Sequence, residues 1–314
     1  MLYALVFVIF FGLMHLYFKI ADRYNIIDKP NQRSSHTEVT IRGGGIIFLV
    51  SILLGGICYP VYWLPVLGAF LIGVISFADD LITLSSKVRI VVHIAAVTIM
   101  YVFLNVFALP WYWCLVLYIM GVGIINIYNF MDGINGITGC YTLVILAGLF
   151  YINSYQVQFI QPDLILFPVI ACVVFLFFNF RTRAKCFAGD VGSVTIAFWV
   201  IFLLFKLIFH TQNWSYIFFL AVYGIDAGFT IIQRLLMRQN IFTPHRLHLY
   251  QLLANECKWP HRLVSVIYAI VQLVMICVLA TNVTFSTIGT VGIATFFAIV
   301  YLLIKPRLIS RVAH

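Results

Sequence analysis

Two adjacent carboxylates, Asp79 and Asp80, close a long apolar run (LIGVISFADD) in a chain that has only ten acidic residues among 314. Like charges side by side at the edge of an apolar segment are costly unless a cation compensates them. Asp132 follows GVGIINIYNFM, Asp190 lies in FAGDVGS, and Asp226 lies inside FLAVYGIDAGF. Half of the acidic residues thus sit in or beside hydrophobic segments, which points to chemistry with a divalent metal and phosphates. Hard oxygen donors suit Mg²⁺ or Mn²⁺, and Mg²⁺ is usually held by a carboxylate or two together with substrate phosphates.

The neighbours of these carboxylates carry complementary groups. In FADDLITLSSKVR the acidic pair is followed by Lys87 and Arg89, a loop able to position a phosphate. In NIYNFMDGINGITG, Asn126, Asn129, Asp132 and Asn135 recur every third residue, which predicts one polar face on a helix or turn. Gly133, Gly136 and Gly139 permit close backbone approach, to a ligand or to a packed neighbour. Asp190 opens a helix after Arg181, Arg183 and Lys185, where a carboxylate is either an N-cap or a metal ligand. FTPHRLHLYQLLA places His245, Arg246 and His248 in one loop, suited to a diphosphate or to anionic lipid.

The elements that position these groups must be membrane helices. Hydrophobic residues make up 63% of the chain and charged residues 9%; a soluble domain typically has about 25% charged residues. Apolar windows predict roughly eleven spans, near 1–19, 43–59, 62–78, 90–108, 111–128, 136–153, 164–180, 191–209, 214–232, 263–281 and 285–304. No polar block is long enough for a second domain, so residues 1–314 form a single integral, all-α, polytopic helical bundle. The first segment lacks a basic leader and a small-residue cleavage site, and is expected to be a retained helix. The seven cysteines are scattered without a CxxC pair and predict neither a disulfide nor a zinc framework.

Of the 19 Lys and Arg residues, 17 fall on one set of loops. The positive-inside rule then places the N-terminus outside and the C-terminus in the cytoplasm. Asp79, Asp80, Asp132 and Asp190 converge on that cytoplasmic face. A net charge of +9 there suits anionic lipid and nucleotide substrates, whereas nucleic acid would need a soluble basic surface.

FADDLITL, NIYNFMDGINGITG, FAGDVGS and HRLHLY, in that order and on one side, resemble the polyprenyl-phosphate N-acetylhexosamine-1-phosphate transferases, glycosyltransferase family 4. The resemblance covers about residues 20 to 260, and DKPNQRSSHTEVTIRGGG and HRLHLYQ resemble the bacterial branch that initiates O-antigen. It implies transfer of a sugar 1-phosphate from a UDP-N-acetyl sugar to undecaprenyl phosphate at the bacterial inner membrane, with release of UMP. It further implies Asp190 as a Mg²⁺ ligand and Asn135 as a second one; some relatives carry Asp at that place, so this site has one charge fewer. Asp79 would deprotonate or orient the lipid phosphate, and Asp80 would support the metal or a neighbouring cation. Direct attack by the lipid phosphate is preferred to a covalent aspartyl intermediate. Asn129 and Asp132 would hold the nucleotide; His245, Arg246 and His248 would contact the diphosphate or the sugar; Arg42 with Gly43–Gly45 would border the nucleotide. The other classes weighed are a secondary transporter, disfavoured because all of these carboxylates but Asp226 lie at one interface without a repeat, Asp226 being expected as a structural partner within the bundle, and a catalytically silent sensor, disfavoured by the retained Asp79, Asp80 and Asp190. The identity of the sugar and the oligomeric state, a homodimer included, stay open.

Overall fold

In lipid, a segment has to satisfy its own backbone hydrogen bonds, so an apolar chain of this kind resolves into helices. The structure, a computed structural model, describes residues 1–28, 39–240, 246–281 and 286–312. The first half contains α1 (Leu2–Tyr24), α2 (Ile46–Cys58), α3 (Trp63–Leu81), α4 (Ser86–Phe103), α5 (Trp111–Met131) and α6 (Ile137–Tyr155). The second half contains α7 (Asp163–Asn179), α8 (Gly189–Thr211), α9 (Ala221–Leu236), α10 (Leu249–Gln251), α11 (His261–Thr281) and α12 (Ser286–Val312). A π-helical turn, Leu252–Glu256, extends α10.

Among the described residues, nine helical stretches are long and apolar enough to cross a membrane. The other two expected spans are present as the shorter helices α2 and α7, of 13 and 17 residues. A straight crossing takes about 20 residues, and α2 is short because Arg42–Gly45 form a turn before it starts. One small departure from the all-helical expectation occurs in the described residues: Ile27–Asp28 pairs antiparallel with Thr40–Ile41, and Ile41 also bridges to Cys186.

α8 is the axis of the bundle. Every residue from Val191 to Phe205 is buried, as expected for a helix apolar on all sides, and α2, α3 and α5 pack around it. Phe198, Trp199 and Phe202 fill its surroundings, and Trp199 Nε1 donates to the Leu164 carbonyl at 2.9 Å. At its N-terminal end α8 meets α2 backbone to backbone: a Cβ on Gly192 would lie 2.7 Å from the Gly45 Cα. At the opposite end of the bundle, Tyr3 and Tyr59 both donate to Asp163, at 2.8 and 2.6 Å, which ties α1 and the end of α2 to α7. All seven cysteines are free thiols.

The Gly45–Gly192 contact has no room for a side chain, and overpacking of this kind typically costs about 1–3 kcal/mol. Gly192→Val is therefore expected to lower the thermal midpoint of the detergent-purified protein, whereas Gly123→Ala, at a glycine with open space around it, is expected to leave that midpoint unchanged. A thermal melt followed by fluorescence-detected size exclusion measures both.

Candidate active site

The end of the bundle that carries the N-terminus of α8 gathers most of the charged motifs. α3 ends on Asp79–Asp80, α4 brings Arg89 in its first turns, and Arg42 precedes the glycine turn into α2. Arg42 is placed there by its own carbonyl, which accepts a 2.6 Å hydrogen bond from the Tyr17 hydroxyl.

Asp80 has a fully buried side chain with every oxygen in use. Oδ1 accepts from the Asp190 amide at 2.9 Å and pairs with Arg42 Nε at 2.7 Å, and Oδ2 accepts from the Val191 amide at 3.0 Å. A helix leaves its first amides unpaired, so a carboxylate from α3 caps α8. The sequence left Asp190 between cap and ligand; the capping is done by Asp80. Gly189 makes this possible, with φ +70° and a position where a Cβ would press on Asp80 Oδ2.

Asp79 and Asp190 are joined by one guanidinium. Arg89 Nη1 lies 2.9 Å from Asp79 Oδ2 and 3.3 Å from Asp190 Oδ2, while Arg42 Nη2 stands 3.7 Å from Asp190 Oδ1. Asp79 Oδ1 also accepts from the Leu84 amide at 2.7 Å. Three carboxylates are thus shared between two arginines. Arg89 was legible as a cation near the acidic pair, but its reach across to Asp190 was not.

The asparagine-rich segment does not form a single helical face. α5 stops at Met131 and Asp132–Gly136 form a turn, so the four Asx residues diverge. Asn126 Nδ2 donates to Val122 of its own helix at 2.8 Å. Asn129 Oδ1 accepts from Ser193, one turn beyond Asp190 on α8, at 2.9 Å. Asn135 Nδ2 donates to the Arg181 and Thr182 carbonyls at 2.9 and 3.3 Å, which holds the loop between α7 and α8 and leaves Oδ1 for another partner. Asn179, which the sequence did not single out, does similar work: Oδ1 accepts from the Gly136 amide at 2.6 Å and Nδ2 donates to the Cys186 carbonyl at 2.8 Å. Its signal was a polar residue closing an otherwise apolar span. Burial pushes the Asp132 carboxyl up to about 6.

The glycine turn and His248 are taken up by structural contacts. Gly44 and Gly45 donate their amides to the Phe187 and Ala188 carbonyls at 2.8 and 3.0 Å, so the glycine turn packs on the 186–189 segment instead of offering those amides to a nucleotide. His248 is 2% exposed and its Nδ1 lies 3.5 Å from Asp226 Oδ1, inside the bundle and turned away from solvent. Arg246 is partly exposed, and His245 lies outside the described residues.

Among the described residues no three His, Cys, Asp or Glu side chains are arranged as a ready-made metal cage. The donor set nevertheless fits a hard divalent ion that also binds substrate phosphate. Asp190 is the one carboxylate of the three with no backbone amide on it, and its side chain is 18% exposed against 0% for Asp80.

A family model described as glycosyl transferase family 4 matches residues 62–208, which include Asp79, Asp80, Asn129, Asp132, Asn135 and Asp190. The chain is 28% identical over 256 residues to a probable undecaprenyl-phosphate N-acetylglucosaminyl 1-phosphate transferase of Bacillus subtilis (strain 168), covering 74% of this chain and 70% of that one. It is 29% identical over 267 residues to the undecaprenyl-phosphate alpha-N-acetylglucosaminyl 1-phosphate transferase of Salmonella typhi, covering 74% and 70%. The corresponding protein of Escherichia coli O157:H7 is 27% identical over 285 residues, covering 79% and 75%.

Two measurements follow from this geometry. Asp80→Asn exchanges a charged cap for an amide and leaves Arg42 without its nearest partner; a loss of about 1–3 kcal/mol is expected, larger than for Asp79→Asn, in paired thermal melts. For Asp132 the folded protein keeps a proton up to about pH 6, whereas an ordinary Asp releases it near 3.8. The folded state therefore binds more protons between these values, and stability falls as pH rises through that window. Melting midpoints from pH 4 to pH 7 are expected to fall less steeply for Asp132→Asn than for wild type.

Proposed function

The chain belongs to glycosyl transferase family 4, and on that premise we propose that it transfers an N-acetylhexosamine 1-phosphate from a UDP-sugar to undecaprenyl phosphate. The observation that carries this reading is the meeting of Asp79, Asp80 and Asp190 with Arg42 and Arg89 at one end of an apolar bundle. An open apolar groove of about 820 Å³ between α5, α9 and α12, lined by Ile124, Ile127, Ile225, Phe229 and Ala298 among others, supports a polyprenyl substrate. An apolar groove of this kind can pack a polyprenyl chain along its length, while the phosphate stays at the polar end.

In the reaction an oxygen of undecaprenyl phosphate attacks the phosphorus that bears the sugar. A new P–O bond forms there, the bond to the oxygen bridging the two phosphorus atoms breaks, and UMP departs with that electron pair. Asp79 accepts or holds the remaining proton of the lipid phosphate, and Arg89 balances the charge gathered beside it. Asp80, with its oxygens committed to α8 and Arg42, acts by holding Arg42 and Asp190 in place. Asn129 and Asp132, at the end of α5, form the side that receives the nucleotide. Asp190, with Asn135 Oδ1, would hold Mg²⁺. Bound there, Mg²⁺ supplies neutralisation of the non-bridging oxygens in an in-line displacement.

The bias of the cations supports an orientation with this end in the cytoplasm of a bacterial inner membrane, where UDP-sugars are available. The product is then the first lipid-linked intermediate of a cell-surface polysaccharide such as O-antigen.

UMP release from a panel of UDP-N-acetyl sugars, with undecaprenyl phosphate and Mg²⁺, tests the reading. Release is expected to need the lipid and a divalent ion, to stop with EDTA, and to drop at least about a hundredfold in Asp190→Asn. Binding of UDP-sugar without UMP release from any donor would favour a sensor, and release that persists unchanged in Asp190→Asn would overturn the site.

A further inference from the structure

Asp226 lies inside α9, is 1% exposed, and takes no part in the carboxylate cluster. It is nonetheless the most heavily engaged acid in the described chain. Its carboxylate accepts from the Leu249 amide at 2.9 Å, the Tyr250 amide at 3.4 Å, the Tyr268 hydroxyl at 2.6 Å and the Tyr301 hydroxyl at 3.0 Å. These donors come from α10, α11 and α12. A buried carboxylate that gathers donors from three elements holds them together, because losing any donor strands charge in an apolar interior.

The amides belong to the HRLHLY segment, and that segment has a second fastening. The Tyr250 hydroxyl donates to the Phe130 carbonyl at 2.9 Å, and Gly133 is bare where its Cβ would strike that hydroxyl. Phe130 and Gly133 flank Asp132 at the corner between α5 and α6. The segment is therefore pinned to α9 on one side and to the nucleotide side of the candidate active site on the other. On the far side of Asp226 stands a buried cation. Lys305 Nζ donates to the Tyr301 hydroxyl and to Thr230 Oγ1, both at 2.7 Å, and Tyr301 passes the polarisation on to Asp226.

We propose that Asp226 is a positioning residue for sugar-nucleotide binding. It anchors the segment that carries Arg246 against the Asp132 corner, and α12 completes the anchor through Tyr301 and Lys305. His248 belongs to this anchor and not to the substrate surface. This inference rests on the transferase reading for its kinetic consequence, but the anchoring itself is measurable without substrate.

The test uses the full chain in detergent with Asp226→Asn and, as a milder change that removes a single hydroxyl, Tyr268→Phe. Limited trypsin digestion reports release of the segment at Arg246 and Lys258. Cleavage is expected to be faster in Asp226→Asn by about tenfold, with a smaller increase in Tyr268→Phe. In the UMP assay, KM for the UDP-sugar is expected to rise by a similar factor, while kcat at saturation and KM for undecaprenyl phosphate stay within about twofold. Wild-type cleavage and wild-type KM in Asp226→Asn would overturn the proposal, as would a fall in kcat with cleavage and KM unchanged. If Asp226→Asn does not fold, Tyr268→Phe decides by the same two measurements. Faster cleavage in a protein that releases no UMP from any donor would leave the anchor standing and count against the transferase reading instead.

Discussion

Everything at the end of the bundle where α8 begins depends on keeping Asp79, Asp80 and Asp190 close together within an apolar surround. Three carboxylates at this spacing repel one another, and burial penalises each of them as an anion. The protein counters this with two guanidiniums, each shared between a fixed carboxylate and Asp190, and with the first amides of α8. A planar guanidinium is suited to this because it bonds two carboxylates at once and does not give up its proton. The compensation is uneven: Asp80 is saturated, Asp79 is half committed to backbone, and Asp190 has the longer arginine contacts, at 3.3 and 3.7 Å. This unequal commitment leaves the most exposed carboxylate of the three, Asp190, as the one without a backbone amide on it.

The fold serves this arrangement through helix ends. α8 begins where α3 ends, so the amides that open one helix meet the carboxylates that close another. α2 begins beside α8 only because Gly45 and Gly192 bring the two backbones together, and that contact carries Arg42 to the cluster. The short α2 and the Ile41–Cys186 bridge follow from the same demand, since the chain there is spent on a turn that packs against the start of α8. At the opposite end, Asp163 with its two tyrosines performs a purely structural version of the same work.

Asp226 shows how a second buried acid is managed without arginine. Tyrosine hydroxyls, backbone amides and the His248 imidazole surround it, and Lys305 is held at one remove behind Tyr301. Hydroxyl donors fix the direction of the carboxylate without bringing in a further full charge. The family model ends before this region, at residue 208.

By itself the sequence determined the membrane class, the succession of apolar helices and the motifs that meet at one end, because hydropathy and helix length are local properties and lipid leaves few alternatives. It also placed Asp79, Asp80, Asp132 and Asp190 among the residues to watch, because acids are rare in this composition. Only the tertiary structure decided which partner each acid has. It gave the cap of α8 to Asp80 and not to Asp190, brought Arg42 from the turn before α2 onto Asp80, turned His248 inward onto Asp226, and broke the Asn126–Asn135 pattern at Met131. Spacing along one helix reports which side chains share its face, but it carries no information about the rotation and depth at which a second helix packs. Those are set by close contacts such as Gly45 against Gly192, and these exist only once the helices have met.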